Sequence, residues 1–290
     1  MKKQRIYILD LLRAIAIFLV LGIHILREIA TFYHPVWLVN LTQYFGVKDF
    51  FWVTLAGIGV VLFIILSGMV LEYNHGEEKY SYFSFIYKRL KRIYFTYWLC
   101  LALAIFLIGS ASRLWLDATG LMIFSGKAWG SFAIPTAWFL GLILCLYLFY
   151  PLLSRSIKKS PYITLAILLI VSFISRIWMG ETNFIHRGID SFPLSRIFEF
   201  GLGIFLMQKP AVVRFLSSLN KFSSSKILLF ISDISFPVFL IHSVLIDLNI
   251  ISSKDILGTT LEFVILTLGL SLIVFYTEKK LAKIRFERVQ

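Results

Sequence analysis

The chain has 290 residues, 59% of them hydrophobic and 16% charged, with a mean hydropathy of +0.83. A water-soluble domain of this size needs more polar surface, and no stretch is left over for a separate soluble domain, so residues 1–290 read as one membrane-embedded unit. The formal net charge of +13 does not mark a nucleic-acid binder, because the basic residues cluster in short segments between uncharged apolar runs.

Those runs predict an all-α, polytopic membrane helix bundle, since lipid offers the backbone no hydrogen-bond partners. In chain order the predicted spans are residues 6–26, 50–71, 93–108, 138–153, 162–177, 197–207, 227–248 and 261–276, which makes eight, with room for up to ten. The first could pass for a signal peptide. However, Asp10 and Arg13 interrupt it and no small-residue cleavage site follows, so it reads as a retained span. The sixth is short and is expected to tilt little, to begin before Ile197, or to re-enter from one face. Ser67 and Gly68 in the second span are expected to permit close helix packing. Cys100 and Cys145 fall inside apolar runs without metal-ligand spacing, as packing residues do.

Charge orients the bundle. With the N-terminus in the cytoplasm, 20 of the 29 Lys and Arg residues fall in cytoplasmic segments and 8 outside, and Arg13 lies within the first span. Every inside segment is then more basic than its neighbours. Both termini are therefore expected in the cytoplasm of a multi-pass cell-membrane protein.

An ionisable side chain at bilayer depth costs about 2.5–3.5 kcal/mol on insertion scales, so each one needs a reason. The first span holds Asp10, Arg13 and His24. Arg13 and His24 lie close to three helical turns apart, on one face and about 16 Å from each other. Asp10, one turn below Arg13, can pair with it. The plain alternative is an ion pair at the membrane rim with His24 capping the far end. The run Lys88-Arg89-Leu90-Lys91-Arg92 precedes the third span. It is either an ordinary topogenic signal or a phosphate clamp in which Arg89 and Arg92, one turn apart, fork onto one polyphosphate. Arg196 and Glu199, again one turn apart, are as readily structural as functional. Asp233, His242 and Asp247 are polar positions in the seventh span, and His242 reads as a core histidine or a substrate contact. His34, His75 and His186 fall in predicted loops, where a surface role is the default. No Gly-rich phosphate loop, HExxH or serine nucleophile elbow occurs.

In order, these residues carry a pattern. Asp10-Leu11-Leu12-Arg13-Ala14-Ile15-Ala16, with ten residues between Arg13 and His24, resembles the opening of the membrane acyltransferase 3 family. Gly59-Val60-Val61-Leu62-Phe63-Ile64-Ile65-Leu66-Ser67-Gly68 is similar to the family's Gly-Val-x-x-Phe-Phe-x-x-Ser-Gly span, and Arg89-Leu90-Lys91-Arg92 matches its Arg-x-x-Arg motif. Weaker echoes are Trp138-Phe139-Leu140, Arg196-Ile197-Phe198-Glu199-Phe200 and the stretch from Ser235 to His242. Leu11 stands where the family has glycine and Phe95 where it has proline, and the chain has fewer clear spans than the family's usual ten.

The resemblance implies transfer of an acyl group, usually acetyl, from a cytoplasmic acyl-CoA (acetyl-CoA foremost) to a hydroxyl of a cell-envelope glycan or lipid-linked sugar, with no metal. It implies Arg13, Arg89 and Arg92 as the coenzyme-binding cations and His24 as the general base or transient acyl carrier. Arg196, Glu199 and His242 are then expected on the acceptor, with Asp10 as a pairing residue. Expected partners are that acceptor, membrane lipid and glycan-assembly proteins. The competing readings are a transporter or flippase using the same polar residues as a pathway, and a structural partner in a glycan-assembly complex.

Overall fold

A computed structural model of the chain describes residues 4–33, 48–76, 81–109, 114–125, 132–182, 191–220, 225–248 and 255–287, and among them the regular elements are all helical. The helices are α1 (Tyr7–Tyr33), α2 (Lys48–His75), α3 (Tyr82–Ile108), α4 (Leu114–Thr119), α5 (Trp138–Lys159), α6 (Pro161–Thr182), α7 (Ile197–Met207), α8 (Pro210–Ser218), α9 (Lys226–Asp247) and α10 (Ile256–Glu287). His34 and His186 lie outside the described residues.

The expected polytopic bundle is present, and seven of these helices are long and apolar enough to cross a bilayer. The remaining predicted span, the sixth, is α7, of 11 residues, extended at its start by the 3-10 turn Pro193–Arg196. At about 1.5 Å per residue such a helix reaches only half-way through a hydrocarbon core of roughly 30 Å. It therefore depends on its neighbours α2, α5 and α6 to enclose it. In α5 and α9, 67% and 61% of the span is buried, against 17% in α6, so α5 and α9 form the centre and α6 the rim. Phe173 and Ile174 of α6 point outward, as side chains facing hydrocarbon should.

The tightest packing joins α2 to α7. A Cβ on Gly68 would collide with the carbonyl oxygen of Phe200, and one on Gly203 with that of Ile65. Membrane helices have no hydrophobic drive to associate, so such close approach is what holds them together. Gly203→Leu is expected to force α7 off α2 and lower the melting temperature of the detergent-solubilised protein by several degrees. An unchanged melting curve would show that the contact contributes nothing.

The segments expected to share a face with the N-terminus do gather at one end. Asn220 accepts from the Tyr7 N–H (2.8 Å) and donates to the Arg5 carbonyl (3.1 Å), and Tyr73 donates to the Gln4 carbonyl (2.6 Å). Buried Glu72 ties the ends of three helices together, accepting from Tyr150 (3.0 Å), Ser154 (2.8 Å) and Gln208 (2.9 Å). Thr96 of α3 donates to Glu278 of α10 (2.7 Å), which brings the end of α10 alongside.

Three predicted linkers turn out to be structured. Residues 72–92 are mostly helical, so the basic run of residues 88–92 lies inside α3 rather than before it. Residues 208–226 contain α8. The described parts of 109–137, residues 114–125 and 132–137, fold back against the bundle with Met122, Ile123 and Ile134 buried, because their short apolar runs need cover that a surface loop would not give. This return is stitched to the core. Tyr97 donates to the Asp117 carbonyl, Ala133 N–H donates to the Asp117 carboxylate (3.0 Å), and Thr136 donates to the Phe239 carbonyl (3.0 Å).

Candidate active site

A cavity of about 510 Å³ runs inward from the end of the bundle where α1 begins, between α1, α2, α3, α5, α9 and α10. Its wall collects Arg5, Arg13, Arg89 and Arg92 against Asp10, Asp233 and Glu278, an excess of one positive charge. The helices explain the convergence. Arg89, Arg92 and Thr96 follow at i, i+3 and i+7 and so share one face of α3. Asp10 and Arg13 share a face of α1, which packs against α2 and α9.

Each cation is held differently. Buried Asp10 takes Arg5 in a two-pronged bond (2.8 and 2.9 Å) and has Arg13 at 3.6 Å, so its expected pairing with Arg13 is present but secondary. Ser232 of α9 closes the knot, donating to Asp10 (2.9 Å) and accepting from Arg13 (3.1 Å). The Asp10 hydrogen bond raises the pKa of Arg5 above its already high ordinary value, so Arg5 stays charged at any physiological pH. Arg89 meets His75 Nε2 (2.6 Å) and lies over the Phe85 ring at 5.7 Å. His75 is thus the last residue of α2 and a partner of the cavity wall, not a loop residue. Arg92 has no ion pair or hydrogen bond among the described residues, and its fork is available to a ligand.

At its inner end the cavity stops at three phenylalanines. Phe63, Phe139 and Phe239 all line it, and their ring centroids are 6.1, 6.1 and 5.1 Å apart. Beyond them lie two histidines. His242 is fully buried with its centroid 5.8 Å from Phe239 and 5.0 Å from His24 of α1. His24, Arg13, Arg89 and Arg92 therefore belong to one region, with the arginines in the cavity and His24 past the phenylalanines.

Arg196 and Glu199 pair as their spacing suggests (3.1 Å), but at the other end of α7 and with a third member, Arg176 of α6, at 2.5 Å from the same Glu199 oxygen. His242 is placed beside His24, on a different helix pair from this cluster. Glu199 Oε2 and the Ser191 and Ser195 hydroxyls are buried there without hydrogen-bond partners among the described residues. Buried polar groups are rarely left so. Among the described residues no three His, Cys, Asp or Glu side chains gather as a metal site would require.

The sequence profile of the acyltransferase domain, acyltransferase 3, matches residues 6–216, well over half of the chain. The chain is a member of the acyltransferase 3 family. The match contains Arg13, His24, Arg89, Arg92, Arg196 and Glu199 and ends before His242. No curated protein and no solved structure matches the chain.

For this membrane acyltransferase, several site residues were not singled out from sequence. Arg5 and Arg176 enter the sequence reading only through the balance of basic charge, and Ser232 and Glu278 carry no motif. A carboxylate such as Glu278 near the end of an apolar run was the available signal, but its partner Thr96 is 182 residues away. If the Glu199 cluster orients an acceptor, Glu199→Gln is expected to impair acyl transfer while leaving acyl-CoA binding nearly intact. Normal transfer by that variant would return the cluster to a packing role.

Proposed function

We propose that this acyltransferase moves an acyl group, acetyl foremost, from a cytoplasmic acyl-CoA to a hydroxyl of a cell-envelope glycan or lipid-linked sugar. The observation that carries the reading is the cavity itself. It draws Arg13, Arg89 and Arg92 from two separate helices onto one polar space that ends at an apolar ring layer next to His24. Guanidinium forks suit phosphate oxygens, and an apolar inner end suits a neutral thioester arm better than a charged headgroup. His24 then serves as general base. It takes the proton of the acceptor hydroxyl as that oxygen bonds to the thioester carbonyl carbon. The carbon–sulfur bond breaks, and the proton passes to the departing thiolate. The glycan acceptor follows from the family resemblance, with the Glu199 cluster as its contact.

The cavity end is assigned to the cytoplasm on the 20-to-8 asymmetry of basic residues. Reporter fusions at Lys79 and Lys221 are expected to read inside, and fusions at Asp117 and Lys254 outside. Lys79, Lys221 and Lys254 lie outside the described residues. The deciding experiment compares envelope glycans from cells with and without the gene by mass spectrometry, alongside acyl-CoA binding by the purified protein. A lost acyl mass with measurable binding supports the reading, whereas unchanged glycans and no binding refute it.

A further inference from the structure

We propose that His242 is a positioning residue for His24: its Nε2 accepts a hydrogen bond from one ring nitrogen of His24 and leaves the other bearing the lone pair. The inference deepens the proposed function and rests on its assignment of His24 as general base.

Three observations carry it. His242 Nδ1 lies 3.1 Å from the carbonyl oxygen of Val238, one turn back on α9. A carbonyl can only accept, so Nδ1 holds the hydrogen and Nε2 is left as the bare acceptor nitrogen. Nε2 is nevertheless wholly buried and has no hydrogen-bond partner among the described residues. A buried acceptor without a donor is destabilising, so its retention calls for a group that reaches it. A ring bearing an N–H stands against it, that of His24, with centroids 5.0 Å apart and planes inclined by 52°. At that separation, nitrogens turned toward each other fall in the hydrogen-bond range of about 2.7–3.2 Å. His24 is only half-buried.

The surroundings of His242 make it a rigid anchor. Phe239 packs at 5.8 Å on the same helix, and the neighbouring Ser243 is bonded to Thr136 (2.8 Å) of the returning segment. The moving partner is then His24, and the fixed acceptor decides which of its nitrogens faces the hydroxyl. Orienting groups behind functional histidines act in this way, by setting tautomer and ring direction rather than by touching substrate.

The test compares His242→Gln with His242→Phe in the full-length protein, measuring kcat and KM for acyl-CoA. Gln keeps an acceptor oxygen near the position of Nε2, whereas Phe keeps the volume and removes the acceptor. Positioning predicts that Phe lowers kcat by about 10- to 100-fold with KM little changed, and that Gln retains most of the activity. A packing role predicts the reverse order, because a buried amide is worse tolerated than a ring, and that order would overturn the proposal. If the Phe variant fails to insert, the parent protein labelled with [15N]histidine decides. A 15N–15N coupling between the two imidazoles supports the pairing, and its absence overturns it. His24→Ala, measured alongside, separates the two levels. Full transfer by His24→Ala refutes the general-base assignment itself, whereas loss of transfer there with normal His242→Phe refutes only the pairing.

Discussion

His24→Ala is expected to lower acyl transfer by about a hundredfold or more while acyl-CoA binds nearly as before, the usual scale for loss of a general base. The separation of effects follows from the placement of His24, which lies beyond Phe239 and does not line the cavity that holds the arginines. Removing its imidazole leaves every guanidinium in place. Insertion of the variant must be checked first, by yield and melting temperature, because α1 packs against both α2 and α9. Transfer within a few-fold of the parent, in a well-inserted variant, would rule His24 out as the base.

Arg92→Ala is expected to show the complementary pattern, with acyl-CoA affinity falling tenfold or more and little change in the transfer rate at saturation. A charge-assisted hydrogen bond is worth about 1.5–3 kcal/mol, and a tenfold change in affinity corresponds to about 1.4 kcal/mol. Arg92 is the informative arginine because it has no partner among the described residues, so its loss leaves no stranded carboxylate. Arg89→Ala is expected to weaken binding similarly, but it also removes the contact with His75 and bares the Phe85 ring. Lysine at either position should rescue in part, since it keeps the charge and loses the planar fork. Unchanged affinity in both alanine variants would mean that the cavity holds something other than a polyphosphate.

The helices of this acyltransferase were legible because uncharged runs long enough to span lipid admit almost no other structure. The placement of Asp10, Arg13 and His24 on α1 was legible for the same reason: helical spacing fixes which side chains share a face. Arg89 and Arg92 read as one turn apart but ahead of the third span, whereas they lie within α3. Which faces meet was not legible. The contact of His24 with His242 joins residues 218 positions apart, and Ser232 reaches Asp10 across 222. Nothing in local periodicity encodes such pairs. Residues 109–137 read only as a linker between spans, because their apolar stretches are too short to register as spans. Burial of Met122, Ile123 and Ile134 shows that the bundle completes its core with them. Arg5 looked like one more topogenic charge until its two bonds to Asp10 were in view.

The layer formed by Phe63, Phe139 and Phe239 has an electrical consequence. Polar space reaches it from one face, so the membrane voltage does not fall evenly across the bilayer. It is compressed onto the apolar stretch around and beyond the rings, where a unit charge would feel about 2.3 kcal/mol per 100 mV. In the proposed reaction the phosphates stay with the arginines below this layer, and only the uncharged acyl arm passes it. Transfer across the membrane would then neither draw on nor dissipate the cell's electrical gradient, and an energised and a de-energised membrane would support the same rate.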